Sequence, residues 1–219
     1  MTNIPKADDQ VDQWRSVMFL YDSALKKVNT KIEILNNEFA NRYDYNPIEH
    51  IKSRLKSAES IVMKLKKDGY EVTIENMMEC LSDIAGIRII CSFTSDIYQI
   101  AGMIAAQGDV TVLHVKDYIK NPKPNGYKSY HMVVTVPVSI TDGPVETKVE
   151  IQIRSVAMDF WASLEHKIAY KFEGNAPENL LKELKACADM VDILDAKMFS
   201  LNEAITAFAR EQKERSEES

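Results

Sequence analysis

The chain of 219 residues is poor in cysteine, glycine and proline, with three, seven and seven. Cys80, Cys91 and Cys187 make no C-x-x-C pair and no even framework, which argues against a disulfide scaffold or a thiolate zinc site and for a reducing compartment. The four histidines, His50, His114, His131 and His166, show no metal-ligand spacing on one helix face. So few glycines exclude a collagen-like repeat, and 45% hydrophobic residues against 27% charged exclude a disordered chain. No run of about 18 apolar residues offers a membrane span. The opening stretch, Met1 to Gln10, is polar and acidic rather than basic-then-apolar, so a cytoplasmic protein is expected. Positive charge is also in deficit: 27 Lys and Arg against 33 Asp and Glu give −6, which on its own argues against non-specific nucleic-acid binding, and neither DNA nor a membrane is an expected partner.

What is present is patterned. At this length a folded chain buries roughly 70% of the surface it would expose unfolded, enough for one well-packed domain with helical extensions. From Trp14 to Phe39 the apolar positions Trp14, Met18, Tyr21, Leu25, Val28, Ile32, Leu35 and Phe39 step by four and three alternately. That is a long helix whose stripe packs on a partner helix or within the monomer. Pro47 is expected to start a helix carrying Ile48, Ile51 and Leu55, with Ile61, Val62 and Leu65 on a second set of turns that Gly69 ends. Arg54 and Lys56 would then point to opposite sides, unless the backbone breaks near Ser57.

Beyond a short helix at Met77–Leu81, the run Gly86–Phe93 reads as a central strand. Ser95 is expected to cap a helix that Gly108 closes, and Val110–Val115 to complete a β-α-β unit. Strands at His131–Val136 and Thr147–Arg154, then helices at Ser155–Phe172 and Pro177–Glu214 with a frayed end, complete the pattern. The expected fold is α/β (α+β): a mixed sheet of about five strands flanked by long N- and C-terminal helices. The divisions are 1–46 (N-terminal helical extension), 47–172 (core) and 173–219 (C-terminal helical extension).

Charge gathers in two places. Lys52, Arg54, Lys56, Lys64, Lys66 and Lys67 face only Glu59, and four lysines fall between Lys116 and Lys128 against Asp117. Such clusters suit a compact polyanion such as a nucleotide phosphate chain, or are solvated faces. In Thr147–Arg154 alternation puts Lys148, Glu150, Gln152 and Arg154 on one face, a polar wall or a solvent-facing outer strand. Asp83, ahead of the Gly86 strand, and Glu150 would suit Mg²⁺ if brought together, and one of them would accept a hydroxyl proton. The loop from Asn121 through Gly126 delivers Tyr127 just after a turn, either as a base-stacking platform or as an exposed tyrosine on a hairpin. Arg88 within an apolar strand needs a partner, with Asp83 or a ligand phosphate as candidates.

In order along the chain, Arg54-Leu-Lys56, Asp83-Ile-Ala-Gly86-Ile-Arg88, the run from Lys116 through Asn125, Tyr127 and His131, and Glu150-Ile-Gln152-Ile-Arg154 resemble the (p)ppGpp synthetase domain of the RelA/SpoT family. The resemblance covers about Pro47 to Ala169. The flanking helices look like those of the stand-alone small alarmone synthetases, closest to the RelP type and next to RelQ. It implies a nucleotidyltransferase-like core and a GTP/GDP pyrophosphokinase. Such an enzyme transfers the β,γ-pyrophosphate of ATP to the 3′-hydroxyl of GDP or GTP, makes (p)ppGpp for the stringent response and releases AMP.

By the same resemblance Arg54 and Arg88 clamp ATP while Lys56 and Lys64 neutralise its phosphates. Asp83 and Glu150 hold Mg²⁺, and Glu150 accepts the hydroxyl proton. Tyr127 stacks on guanine, Asn125 and the backbone around Ala162 read its edge, and Lys116, Lys123 and His131 face the acceptor's phosphates. Gln152 and Arg154 shape the wall beneath. Implied partners are ATP, GDP or GTP and further copies of the chain in a homotetramer built through the terminal helices, with pppGpp or single-stranded RNA as regulators.

Ala58 stands where many relatives have proline. No histidine is followed by aspartate, so the family's hydrolase pair is missing and synthesis without hydrolysis is expected. Two rival readings are a toxin that pyrophosphorylates the 3′ end of tRNA and a non-catalytic RNA-binding regulatory module of the same fold. A polymerase-like nucleotidyltransferase is disfavoured, since no two aspartates are two apart.

Overall fold

Alternating β-branched residues build the centre of the molecule. In the computed structural model, which describes residues 10–171 and 177–217, the elements run α1 (Gln10–Arg42), β1 (Ile48–Leu55), α2 (Ala58–Lys67), α3 (Ile74–Cys80), β2 (Ala85–Cys91), α4 (Thr94–Ala105), β3 (Thr111–Asp117), β4 (Tyr130–Ile140), β5 (Gly143–Ser155), α5 (Val156–Lys171) and α6 (Glu178–Glu217). The five strands form one sheet in the order β1-β2-β5-β4-β3, parallel only between β2 and β5. This is the expected mixed sheet of an α+β protein. The expectations for residues 1–9, for the division at 172/173 and for the last two residues lie outside the described residues.

Along β5, Val149, Ile151 and Ile153 are fully buried in a core shared with Val28 and Ile32 of α1, Ile61 of α2 and Ile100 of α4. The opposite face carries Lys148, Glu150 and Gln152, as the alternation requires. With β2 on one side and β4 on the other, β5 is the middle strand, so its polar face is a wall within the sheet and not an outer edge. The stripe of α1 is spent inside the chain: Val17, Leu20, Tyr21, Leu25, Val28, Ile32 and Phe39 are buried in this core. Its two open alternatives are thus decided for packing within the monomer.

The helix expected from Pro47 is instead strand β1, paired antiparallel with β2 from Ile48↔Cys91 to Leu55↔Ala85. Three apolar residues in eight made a weak helical stripe, and the ladder to the apolar β2 outweighs it. A register shift between Ile48 and His50 resets the phase, so Ile48 rejoins Ile51 and Leu55 on the core side. Ser57 then caps α2, its hydroxyl accepting from the Ser60 N–H at 3.3 Å, so the chain does break where Arg54 and Lys56 required it, but from strand to helix.

Other details also differ. Phe93, not Ser95, is the N-cap of α4, and the Asp96 carboxylate accepts the Phe93 N–H at 2.9 Å. β2 and β3 are parallel members of a β-α-β unit but are not neighbours, because β5 and β4 lie between them. The β4–β5 hairpin extends to Ile140 and Gly143, beyond the expected ends, and α6 remains helical to Glu217 where fraying was expected.

Candidate functional site

The register assembles the site before any side chain is considered. Cross-strand partners Lys52, Arg88, Gln152, His131 and Lys116 form one row through all five strands. The next row carries Arg54, Gly86, Glu150 and Val133. Partners across a sheet share a face, so residues as far apart in sequence as Lys52 and Gln152 meet on one polar surface. A cleft of about 240 Å³ opens there, lined by Lys52, Arg54, Asp83, Arg88, Glu150 and Gln152 among others.

One flank of the cleft is cationic. Because β1 is extended, Arg54 and the residue two further on, Lys56, leave the same side of the chain. The Lys56 N–H is anchored on the Ile84 carbonyl at 2.8 Å, and its ammonium donates to Asp83 Oδ2. Lys64, one turn and a half into α2, puts its ammonium 2.8 Å from Asp83 Oδ1. That oxygen is buried and lacks a well-directed hydrogen bond, so a lone pair remains for a cation. Burial alone would raise the Asp83 carboxyl, but the hydrogen bond from Lys56 and the close positive charges of Lys56 and Lys64 outweigh it and hold it below the usual range.

Arg88 departs from expectation. Its partner is not Asp83 but Asp159 in the first turn of α5, at 3.5 Å, and its buried Nε has no hydrogen-bond partner. Burial and the neighbouring Arg154 guanidinium lower its affinity for the proton. A half-buried guanidinium with an unused donor is suited to a ligand.

The other flank is built around Tyr127. Arg154 Nη2 donates to the Tyr127 hydroxyl at 2.6 Å, which in turn lies 2.8 Å from His131 Nε2. His131 Nδ1 is 3.3 Å from Glu150 Oε1, and Gln152 Nε2 donates to Glu150 Oε2 at 3.0 Å. The chain Arg154–Tyr127–His131–Glu150 therefore runs from the loop to the carboxylate. Burial pushes the Glu150 carboxyl up and the charge of Asp83 adds to that, but the hydrogen bonds and charge from His131 and the bond from Gln152 leave it below its ordinary value.

Lys123 Nζ lies 4.8 Å from the centroid of the Tyr127 ring. Asn125 accepts the Tyr127 N–H and donates to Glu165 at 3.2 Å. Ala162 is buried with Trp161 and Ala188 against Tyr127. Arg154 is itself buried and bonded to Asp159, Ser129 and Tyr127, so it supports the ring. Lys116 stands exposed on β3 beside His131. Lys128, one of the four lysines of the second basic cluster, is tied to Asp192 of α6 at 2.5 Å.

Asp159, Glu165 and Asp192 were not singled out from sequence. Asp159 stands alone in the otherwise uncharged first turns of α5, Glu165 and Asp192 lie among other charged residues, and only the docking of α5 and α6 gives each its partner. A signal for Asp159 existed, as an acidic first-turn residue five positions after Arg154.

Two hard carboxylates on adjacent segments, one with an unused lone pair, fit a divalent cation whose remaining ligands are phosphate oxygens and water. No group of three or more His, Cys, Asp or Glu among the described residues forms a cage for a metal by itself. The arrangement can thus accept phosphate groups on its cationic flank and a planar ring on its aromatic loop.

Comparison with known proteins agrees. The family model described as the region found in RelA / SpoT proteins matches residues 53–175. GTP pyrophosphokinase YwaC of Bacillus subtilis is 44% identical over 94% of this chain and 98% of its own length. The crystal structure of small alarmone synthetase 2 from Bacillus subtilis superposes with a TM-score of 0.76 at 46% identity, covering 85% of this chain and 97% of that one. Small alarmone synthetase 1 of the same organism, bound to its product pppGpp, gives 0.81 at 34% identity over 89% and 98%. Bound to AMPCPP it gives 0.74 at 30% identity over 89% and 98%. The chain belongs to the RelA/SpoT family and, within it, to the small alarmone synthetases.

Proposed function

We propose that this cleft carries the β,γ-pyrophosphate of ATP to the ribose 3′-hydroxyl of GDP or GTP, making the alarmone (p)ppGpp and releasing AMP. The observation that carries the reading is the opening of Asp83 and Glu150 into one cleft between a cationic flank and the Tyr127 loop. The donor nucleotide lies along Arg54, Lys56, Lys64 and Arg88, and its phosphates draw the two ammonium groups off Asp83. The acceptor guanine stacks on Tyr127 beside Asn125 and Ala162, with Lys116, Lys123 and His131 toward its phosphates and Gln152 and Arg154 beneath.

Glu150 accepts the 3′-hydroxyl proton as that oxygen bonds to the β-phosphorus. The bond from the β-phosphorus to the α,β-bridging oxygen breaks, and AMP leaves with that oxygen. A base so placed is worth about 10²–10⁴ in rate, and alignment with charge neutralisation supplies most of the rest. Asp83 and Glu150 would hold Mg²⁺, whose charge offsets that of the triphosphate.

Residues 47–172 form the catalytic unit in this reading, between extensions 1–46 and 173–219, and the protein works in the cytoplasm. No helix among the described residues is long and apolar enough to cross a membrane. Assembly is proposed as a homotetramer through the terminal helices. Its support is the apolar residues that α5 and α6 leave uncovered, including Phe160, Met190, Ile193, Met198, Leu201, Ile205 and Phe208. Regulation by pppGpp or single-stranded RNA is tested by titrating each into the synthesis assay.

The deciding experiment is separation of nucleotides after incubation with ATP, Mg²⁺ and GDP or GTP. AMP formed in step with a guanosine 3′-diphosphate is expected. Product on tRNA alone, or no product, would overturn the reading.

A further inference from the structure

Beyond the cleft, α6 lies against the loop that carries Tyr127 and Asn125. The loop's own bonds, Gly126 N–H to the Lys123 carbonyl at 2.8 Å and Lys123 N–H to the Tyr127 carbonyl at 3.1 Å, fix the shape of its turn. They do not fix where the turn sits relative to the cleft. That is set from outside. Gly126 has φ +89°, and a Cβ there would stand 2.6 Å from the Ala188 Cβ, so the turn touches the helix as closely as a glycine allows. Lys128, immediately after Tyr127, is paired with Asp192 one turn further along the same side of α6. Ala188 also backs the cluster of Trp161 and Ala162 on which Tyr127 rests, with Val191 beside it.

The helix itself is rooted in the body of the protein. Asp195 accepts from the Thr94 and Ser155 hydroxyls at 3.0 and 2.8 Å, and the Leu184 carbonyl accepts from Trp161 Nε1 at 2.9 Å.

We propose that Asp192 and Ala188 are positioning residues for the acceptor nucleotide, holding the 121–127 loop and its Tyr127 in the shape that binds guanine. This rests on the acceptor reading above. A ring offered for stacking is useful only if its plane is fixed, and the Tyr127 hydroxyl bonds fix one end while α6 fixes the loop side. Releasing the loop lowers the fraction of molecules in the binding shape, and the apparent acceptor affinity falls by that fraction.

The test is Asp192→Asn, with the charge-swapped pair Lys128→Glu and Asp192→Lys as the rescue. Initial rates give the KM for GDP or GTP and for ATP, thermal unfolding gives stability, and amide hydrogen exchange without nucleotide reads the loop. Expected for Asp192→Asn are an acceptor KM raised roughly tenfold, for a binding-shaped population cut to about a tenth, an ATP KM and unfolding temperature close to the parent's, and faster exchange at Gly126, Tyr127 and Lys128. The swap should bring KM and exchange back toward the parent. Unchanged loop exchange would overturn the proposal, as would both KM values rising together with a lowered unfolding temperature. A parent protein that makes no guanosine 3′-diphosphate would sink the functional reading instead, and loop exchange alone would then decide this one.

Discussion

Glu150 illustrates how one side chain takes its chemistry from neighbours that the sequence does not place. It is flanked by β-branched residues on the middle strand, and burial by itself would favour its protonated form. His131, a cross-strand neighbour of Gln152, reverses that and favours its ionised form, as the proposed role of base requires at neutral pH. Glu150→Gln keeps the volume and a hydrogen-bonding end but accepts no proton. It is expected to lower turnover by about 10²–10⁴ while leaving both nucleotide affinities within a few-fold, measured by steady-state rates and equilibrium binding. Gly126 is the second residue whose role is local and sharp. Gly126→Ala meets both a left-handed backbone and the Ala188 methyl, and should cost about 1–3 kcal/mol in urea unfolding.

At the scale of elements, α1 shows how a helix is held by both its faces. Its apolar stripe lies in the core, and at its side Lys27 and Lys31 reach Asp109, just ahead of β3, at 3.0 and 2.6 Å. The hydrogen bonds from Lys31 and then Lys27 hold the Asp109 carboxyl at about 2, below its ordinary 3.8. A lowered carboxyl stabilises the fold above its unfolded value and loses that contribution as pH falls through the folded one. Asp109→Asn should therefore unfold at a lower temperature than the parent at pH 6, with the difference vanishing as pH approaches about 2. The groups are partly exposed, so solvent screening keeps the gap near or below about 1 kcal/mol. β1 makes the complementary point. The apolar content of 48–55 is legible in sequence, but a helix and an edge strand both accommodate it, and the free edge of β2 decides between them.

For the whole molecule, what matters is that the site face and the uncovered apolar face meet at α6. One side of this helix touches the Tyr127 loop through Ala188 and Asp192, while Ile193 and Ile205 stand 69% and 67% exposed. A helix with such a surface in water calls for a partner, and another copy of the chain is the partner proposed. Ile193→Glu combined with Ile205→Glu should lower the assembly mass in analytical ultracentrifugation, because a charge buried in an apolar interface without a partner is costly. An unchanged mass would place the interface elsewhere.

The local order of residues by itself determined the long helices, the apolar middle strands and the motifs that mark the family, because each depends on periodicity or on residues close together in the chain. It also determined which residues share a face of β5. It did not determine that Arg88 would turn to Asp159, that Lys128 would be spent on Asp192, or that 48–55 would be a strand. Those outcomes depend on which segments arrive beside one another. A half-buried charge takes the nearest partner of opposite sign, and a sheet edge takes the segment that can complete its ladder, so only the tertiary structure settles them.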